Sequence, residues 1–162
     1  MKLSKNFSYD ELVYSATAER LKLDNTPNEK ELAYLTLLAQ TVLQPIRDKW
    51  GYPIVVTSGF RSEAVNKAVG GVKTSQHRLG QAADLKIGSK SQNKALFNFI
   101  LDMVKKGEIK VGQLIDEYGY SWVHVSLPRA GKTNNQVLHS HTLTGLSLDR
   151  RWTRRQAMPQ PP

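Results

Sequence analysis

The chain has 162 residues, no cysteine and a net charge of +9, with a pI near 9.8. That length suits one domain with its own core, and the absence of cysteine excludes both a disulfide framework and a thiolate metal site. Any metal must then be held by imidazole and carboxylate, while the charge favours anionic partners such as nucleic acid or a cell envelope. At the N-terminus, "MKLSKNFSYDELVYS" starts basic but lacks the apolar run of a secretory signal, which implies synthesis in the cytoplasm. Ser8 with Glu11 three residues later makes a capping box and predicts a short helix over 8–14. In "DNTPNEKELAYLTLLAQTVLQPIRDKWG", Thr26 is the expected N-cap and Pro27 the first helical residue. Leu32, Leu35, Leu38, Val42 and Ile46 then recur at helical spacing, and Pro45 should kink or restart the helix. "YPIVVTSGF" is β-branched and predicts a strand ending at Gly59, followed by a short helix in "SEAVNKAVGG". "AADLKI" predicts a second strand, and "SQNKALFNFILDMVKKG" a long helix closed by Gly107. "VGQLIDEYGYSWVHVSL" reads as a hairpin turning around Gly119.

From Pro128 onward the chain is polar and ends in "MPQPP", with "DRRWTRR" gathering Arg150, Arg151, Arg154 and Arg155 around Trp152. The expected organisation is a single domain over 1–148 and a basic, proline-containing tail over 149–162 without fixed structure. No helix-turn-helix, zinc-finger or RNP pattern accompanies the charge, so no specific nucleic-acid partner is expected. No run approaches the roughly 18 apolar residues of a membrane span. Helices and strands are partly segregated and the last strands form a hairpin, which favours an α+β fold.

Three residues suggest chemistry. Alternation in "WVHVS" places Trp122, His124 and Ser126 on one strand face and Val123 and Val125 on the other. A histidine beside an aromatic suits a core position as well as a ligand. Asp84, early in the "AADLKI" strand, and His77, in the Gly-containing segment before it, can reach the same face. Two His and one carboxylate, with a fourth position open, are the donors of a catalytic zinc site, although other divalent ions accept the same set.

These segments carry a resemblance. "SGFRSEAVNKAVGG", "SQHRLGQAAD" and "WVHVS" resemble the M15 metallopeptidases, the family of zinc D-Ala-D-Ala carboxypeptidases and phage endolysins. The family signature S-x-H-x-x-G-x-A-x-D is matched by Ser75, His77, Gly80, Ala82 and Asp84. "NFSYDEL", "DNTP", "VLQPIRDKWGYPIVVTSGFRS" and "QLIDE" extend the likeness from about Asn6 to Leu127. It implies a Hedgehog/DD-peptidase-like fold, an antiparallel sheet flanked by helices. It also implies one Zn2+ ion bound by His77, Asp84 and His124.

The implied activity is hydrolysis of peptidoglycan stem or cross-link peptides, of D-Ala-D-Ala carboxypeptidase or L-Ala-D-Glu endopeptidase type. The implied setting is a monomeric phage-type endolysin acting on the cell wall after release. In this family pattern Arg61 steadies a developing oxyanion or the substrate carboxylate, as a guanidinium can. Ser75 and Gln76 would support the ligands or the substrate by hydrogen bonds. Several relatives carry an acid three residues before the last zinc histidine, where this chain has Ser121. Glu117 is the preferred general base, with Asp116 as the alternative. Without either, the expectation shifts to a weak or inactive metal-bearing wall-binding module. His139 and His141 lie outside the matched segment and are read as surface residues.

Overall fold

The helices begin where side chains can satisfy their first amide groups. In the computed structural model, which describes residues 1–140 and 152–157, Ser8 Oγ accepts the Glu11 N–H at 3.1 Å and opens α1 (Tyr9–Val13). Ser15 caps α2 (Ala16–Leu21) in the same way. Sequence reading passes over α2 because its six residues are too few to display a helical period. The next helix, α3 (Glu29–Leu38), is capped by Asn28 rather than Thr26. Asn28 Oδ1 accepts the Glu31 N–H at 2.8 Å, and Glu31 Oε1 accepts the Asn28 N–H at 2.9 Å. Thr26 instead gives its N–H to Asp24 Oδ1 at 3.0 Å, a turn outside the helix.

Pro45 restarts the helix by an unexpected route. A π-helical stretch, Ala39–Leu43, lets the Gln44 N–H reach back five residues to the Ala39 carbonyl, and α4 (Gln44–Trp50) continues beyond it. The wide turn accommodates the proline's missing N–H without breaking the rod. Further along come β1 (Val55–Ser58), α5 (Glu63–Ala68), a 3₁₀ turn at Gln76–Leu79, β2 (Ala82–Lys86) and α6 (Lys90–Lys105). Strands β3 (Gln113–Glu117), β4 (Trp122–Ser126), β5 (Gln136–Ser140) and β6 (Trp152–Ala157) complete the set. No helix among the described residues is long and apolar enough to cross a membrane.

The strands form one sheet in the order β1-β2-β4-β3-β5-β6. Its pairs are antiparallel except β3 with β5, which is parallel, so the expectation of a wholly antiparallel sheet is corrected at that edge. The reason lies in where the hairpin releases the chain. Strand β4 ends beside the start of β3, and residues 127–135 deliver the next strand at that same end. Asn135 fixes the entry: its N–H bonds the Val111 carbonyl at 2.7 Å and its Oδ1 accepts the Val111 N–H at 3.0 Å. Strand β5 was not anticipated, and the backbone of β6 lies within the segment expected to be an unstructured tail. The rest of that tail, and the stretch before it that includes His141, lie outside the described residues.

Pleating divides the sheet into two faces. Ala83, Leu85, Val123, Val125 and Leu114 point to one side and pack with Leu96, Phe97 and Ile100 of α6 in the core. Ala82, Asp84, Trp122, His124, Ile115 and Glu117 have the opposite parity. The helix-covered face is thus mostly apolar, and the other carries Asp84, His124 and Glu117.

Candidate metal centre

Register brings the site together. Asp84 on β2 stands directly opposite His124 on β4, and His124 stands opposite Ile115 on β3. Glu117 pairs with Trp122, one same-face step along from His124. Directly opposed residues of antiparallel strands share a face about 4.5–5.5 Å apart. Two residues distant in sequence therefore meet without help from a loop.

His77 arrives from the 3₁₀ turn. Ser75 Oγ accepts the His77 backbone N–H at 3.2 Å and starts that turn. Gly80 (φ +78°) ends it and returns the chain into β2. The ring Nδ1 donates to the Gly59 carbonyl at 2.7 Å, which leaves the Nε2 lone pair directed at Asp84 Oδ1, 3.3 Å away. His124 Nδ1 lies 3.1 Å from the same oxygen. One donor atom from each of His77, Asp84 and His124 falls within 4.8 Å of the others, and all three residues are buried.

Two imidazoles and a carboxylate at these separations fit zinc. Donors about 2.0–2.1 Å from a tetrahedral centre lie about 3.3–3.4 Å from one another, close to the two spacings from Asp84 Oδ1. Electrostatics agree with ligand duty. Burial pushes the His77 imidazole below its ordinary pKa, keeping the lone pair free. Burial alone would raise Asp84, but His77 and His124 hold its carboxyl below the usual carboxylate range.

Around this centre, Glu117 Oε2 lies 3.9 Å from His124 Nδ1. Burial, and then the nearby Asp84 charge, push Glu117 up to about 7. Asp116 has the other parity: its carboxylate accepts a hydrogen bond from His139 Nδ1 on β5, on the core side of the sheet. His139 is therefore no surface residue. It is half-buried, with its ring 5.7 Å from that of Phe97. Ser121 lies in the hairpin turn, its hydroxyl donating to the Tyr118 carbonyl at 2.8 Å.

Arg61 is held at three points. Its Nε donates to Ser58 Oγ at 3.0 Å, Nη1 to Asn66 Oδ1 at 3.3 Å and Nη2 to Asp84 Oδ2 at 3.3 Å. Sequence reasoning did not find Ser58 or Asn66; the one signal was a polar Asn inside the otherwise short helix before Gly70-Gly71. Gln76 is 6% exposed and donates through Nε2 to the Leu127 carbonyl (3.0 Å) and Gln81 Oε1 (3.2 Å). Its Oε1 is buried and has no hydrogen-bond partner among the described residues. A cleft of about 810 Å³ opens over these groups, lined also by Tyr14, Val72, Lys86 and Arg129.

A cleft over three convergent donors, with a carboxylate and a guanidinium beside them, is an arrangement suited to metal-dependent hydrolysis. Residues 5–126 match the family described as Peptidase M15. The chain belongs to that family. It is also 46% identical over 54 residues to the zinc D-Ala-D-Ala carboxypeptidase of Streptomyces albus G. That match takes in 33% of this chain and 21% of the relative, so the chain spans about a fifth of that protein's length.

Proposed function

We propose that the chain hydrolyses peptide bonds in peptidoglycan stem or cross-link peptides, as an endolysin-type enzyme acting at the cell envelope. The observation that carries this is Glu117, a half-buried carboxylate beside His124, placed to stand in for the acid missing at Ser121. Zinc held by His77, Asp84 and His124 would supply Lewis acidity toward a water and a substrate carbonyl. Glu117 is the proton acceptor, and its elevated pKa suits a group that takes a proton from water and returns it to the leaving amine. Arg61 has five N–H donors, three of them engaged. The other two are assigned to the developing oxyanion or a substrate carboxylate.

Gln76 Oε1, fixed in direction by the two bonds of its amide nitrogen, is assigned as acceptor for a substrate main-chain N–H. Ser75 steadies the His77 turn from below. Helices on one sheet face and metal donors on the other support the Hedgehog/DD-peptidase type of architecture. Lys86 and Arg129 at the cleft favour anionic peptides, and the enzyme is read as a monomer with no nucleic-acid role.

Zymography on purified cell walls, with zinc and then with chelator, tests the reading. Clearing that chelator abolishes is expected, and mass spectrometry of the fragments identifies the bond cut. A zinc-loaded protein that releases no fragment from walls or stem peptides would refute it. For the endolysin type, cells expressing the protein should stay intact until a membrane permeabiliser is added.

A further inference from the structure

We propose that Asn25, in the linker between α2 and α3, is a positioning residue that holds Arg61 in the cleft; this rests on the substrate-facing role assigned to Arg61. The observation is a single side-chain amide that brackets Arg61 on both sides. Asn25 Oδ1 accepts the Ser62 N–H at 2.7 Å, and Nδ2 donates to the Phe60 carbonyl at 3.1 Å. The same Nδ2 donates to the Val13 carbonyl at 2.7 Å, anchoring the bracket to the end of α1.

Further bonds tie this loop to α1, to α5 and to the site. The Arg61 N–H bonds the His77 carbonyl at 3.0 Å, the Phe60 N–H bonds the Leu12 carbonyl at 2.8 Å, and the Gly59 carbonyl receives His77 Nδ1. Residues 59–62 form neither helix nor strand, so no ladder fixes their backbone. The angle at which Arg61 leaves the chain is set by these few bonds, and Asn25 makes the two that flank it. No other common side chain of this length offers a donor and an acceptor together. Aspartate keeps the Ser62 bond and loses both donor bonds; alanine loses all three. A reacting group displaced by about 1 Å can lose 10²-fold in rate, so a loosened Arg61 has a measurable cost even where the fold survives.

The test is a double-mutant cycle with a second, non-kinetic readout on the zinc-loaded protein. Asn25→Ala should lower kcat/KM on a synthetic stem pentapeptide by about 10- to 100-fold, with zinc content unchanged. In an Arg61→Ala background the same change should cost little further, because the residue it positions is gone. Asn25→Asp, which turns an acceptor toward the Val13 and Phe60 carbonyls, should lose at least as much, divided between kcat and KM as in Arg61→Lys. If Asn25→Ala does not fold, Asn25→Asp carries the cycle. Independently, exchange of the Arg61 Nε–H with solvent, followed by NMR, should accelerate in the Asn25 variants while the amides of β2 and β4 stay protected. Unchanged Arg61 exchange, acceleration shared by the whole sheet, or an equal fold-loss with and without Arg61 would each overturn the proposal. Because the NMR readout needs no substrate, it decides the matter even if the wild-type protein cuts no wall peptide.

Discussion

Asp84 touches three other members of the site, with Oδ1 near both imidazoles and Oδ2 against the Arg61 guanidinium. Removing it leaves the Arg61 guanidinium without its counter-charge and the metal set without its carboxylate, so Asp84→Ala should lose both zinc and activity. His77→Ala and His124→Ala each delete one donor of a three-donor set, and bound zinc measured by mass spectrometry should fall well below one per chain. Stoichiometric zinc in all three variants would mean that the metal sits elsewhere. Glu117 is separable from binding. Glu117→Gln should keep zinc and fold while kcat drops about 10²-fold or more, and near wild-type turnover would reassign the base. The same substitution has a signature in the metal-free protein. There the carboxyl, pushed up to about 7, favours the folded state while it is protonated. That contribution is complete below the ordinary glutamate pKa of about 4.3 and is lost as pH climbs through about 7. With chelator present, Glu117→Gln should melt at the wild-type temperature near pH 4 and above it at pH 8. Equal melting at both pH values would show that Glu117 ionises normally.

Elements deliver these residues, and two glycines show how. Gly80 and Gly119 both have left-handed φ, +78° and +64°. A Cβ on Gly119 would meet nothing within 4 Å, whereas one on Gly80 would sit 2.4 Å from the Glu31 carbonyl oxygen of α3. Gly119→Ala should therefore cost only the left-handed strain of about 1–2 kcal/mol. Gly80→Ala must also push α3 away from the turn that carries His77, adding about 1–3 kcal/mol. At about 2–4 °C per kcal/mol for a chain of this size, Gly80→Ala should lower the melting temperature roughly twice as far. Equal shifts would mean that the turn does not press on the helix as closely as its backbone implies. The same elements show what sequence could reveal. Alternation in "WVHVS" named the face of His124 correctly, and the Ser8 cap marked the start of α1. Alternation in "QLIDE" separates Asp116 from Glu117, but only the pairing of Ile115 with His124 tells which parity faces the metal. That pairing depends on the four-residue turn, where Tyr118 and Tyr120 adopt left-handed φ and Asn93 binds the Tyr120 and Ser121 carbonyls. Such contacts join residues some 27 apart and leave no local pattern. Strand β5 was illegible for a similar reason, since its partner lies across a connection with no periodicity of its own.

At the scale of the molecule, the donor set was legible because a metal needs particular atoms, whereas the bracket around Arg61 was not. Asn25 lies 36 positions before Arg61 and looks like an ordinary turn residue in "DNTP". The excess charge is legible in another way, as a long-range field rather than a contact. On the proposed function, a net +9 on 162 residues would draw the protein toward anionic wall polymers, and Arg61, Lys86 and Arg129 bring part of that charge to the cleft itself. Field and chemistry respond differently to salt. The Debye length is about 8 Å at physiological ionic strength and about 3 Å at 1 M, so attraction to a distant polymer is screened. The contacts around Asp84, at 3.1–3.3 Å, are buried, where salt screens far less. Raising salt from 0.1 to 1 M should therefore release the enzyme from purified walls in a sedimentation assay and slow wall lysis. Hydrolysis of a short neutral peptide should change much less over the same range. Wall binding that ignores salt would show that specific contacts, rather than net charge, hold the enzyme to its substrate. Parallel loss on wall and peptide would place the salt effect in the metal centre.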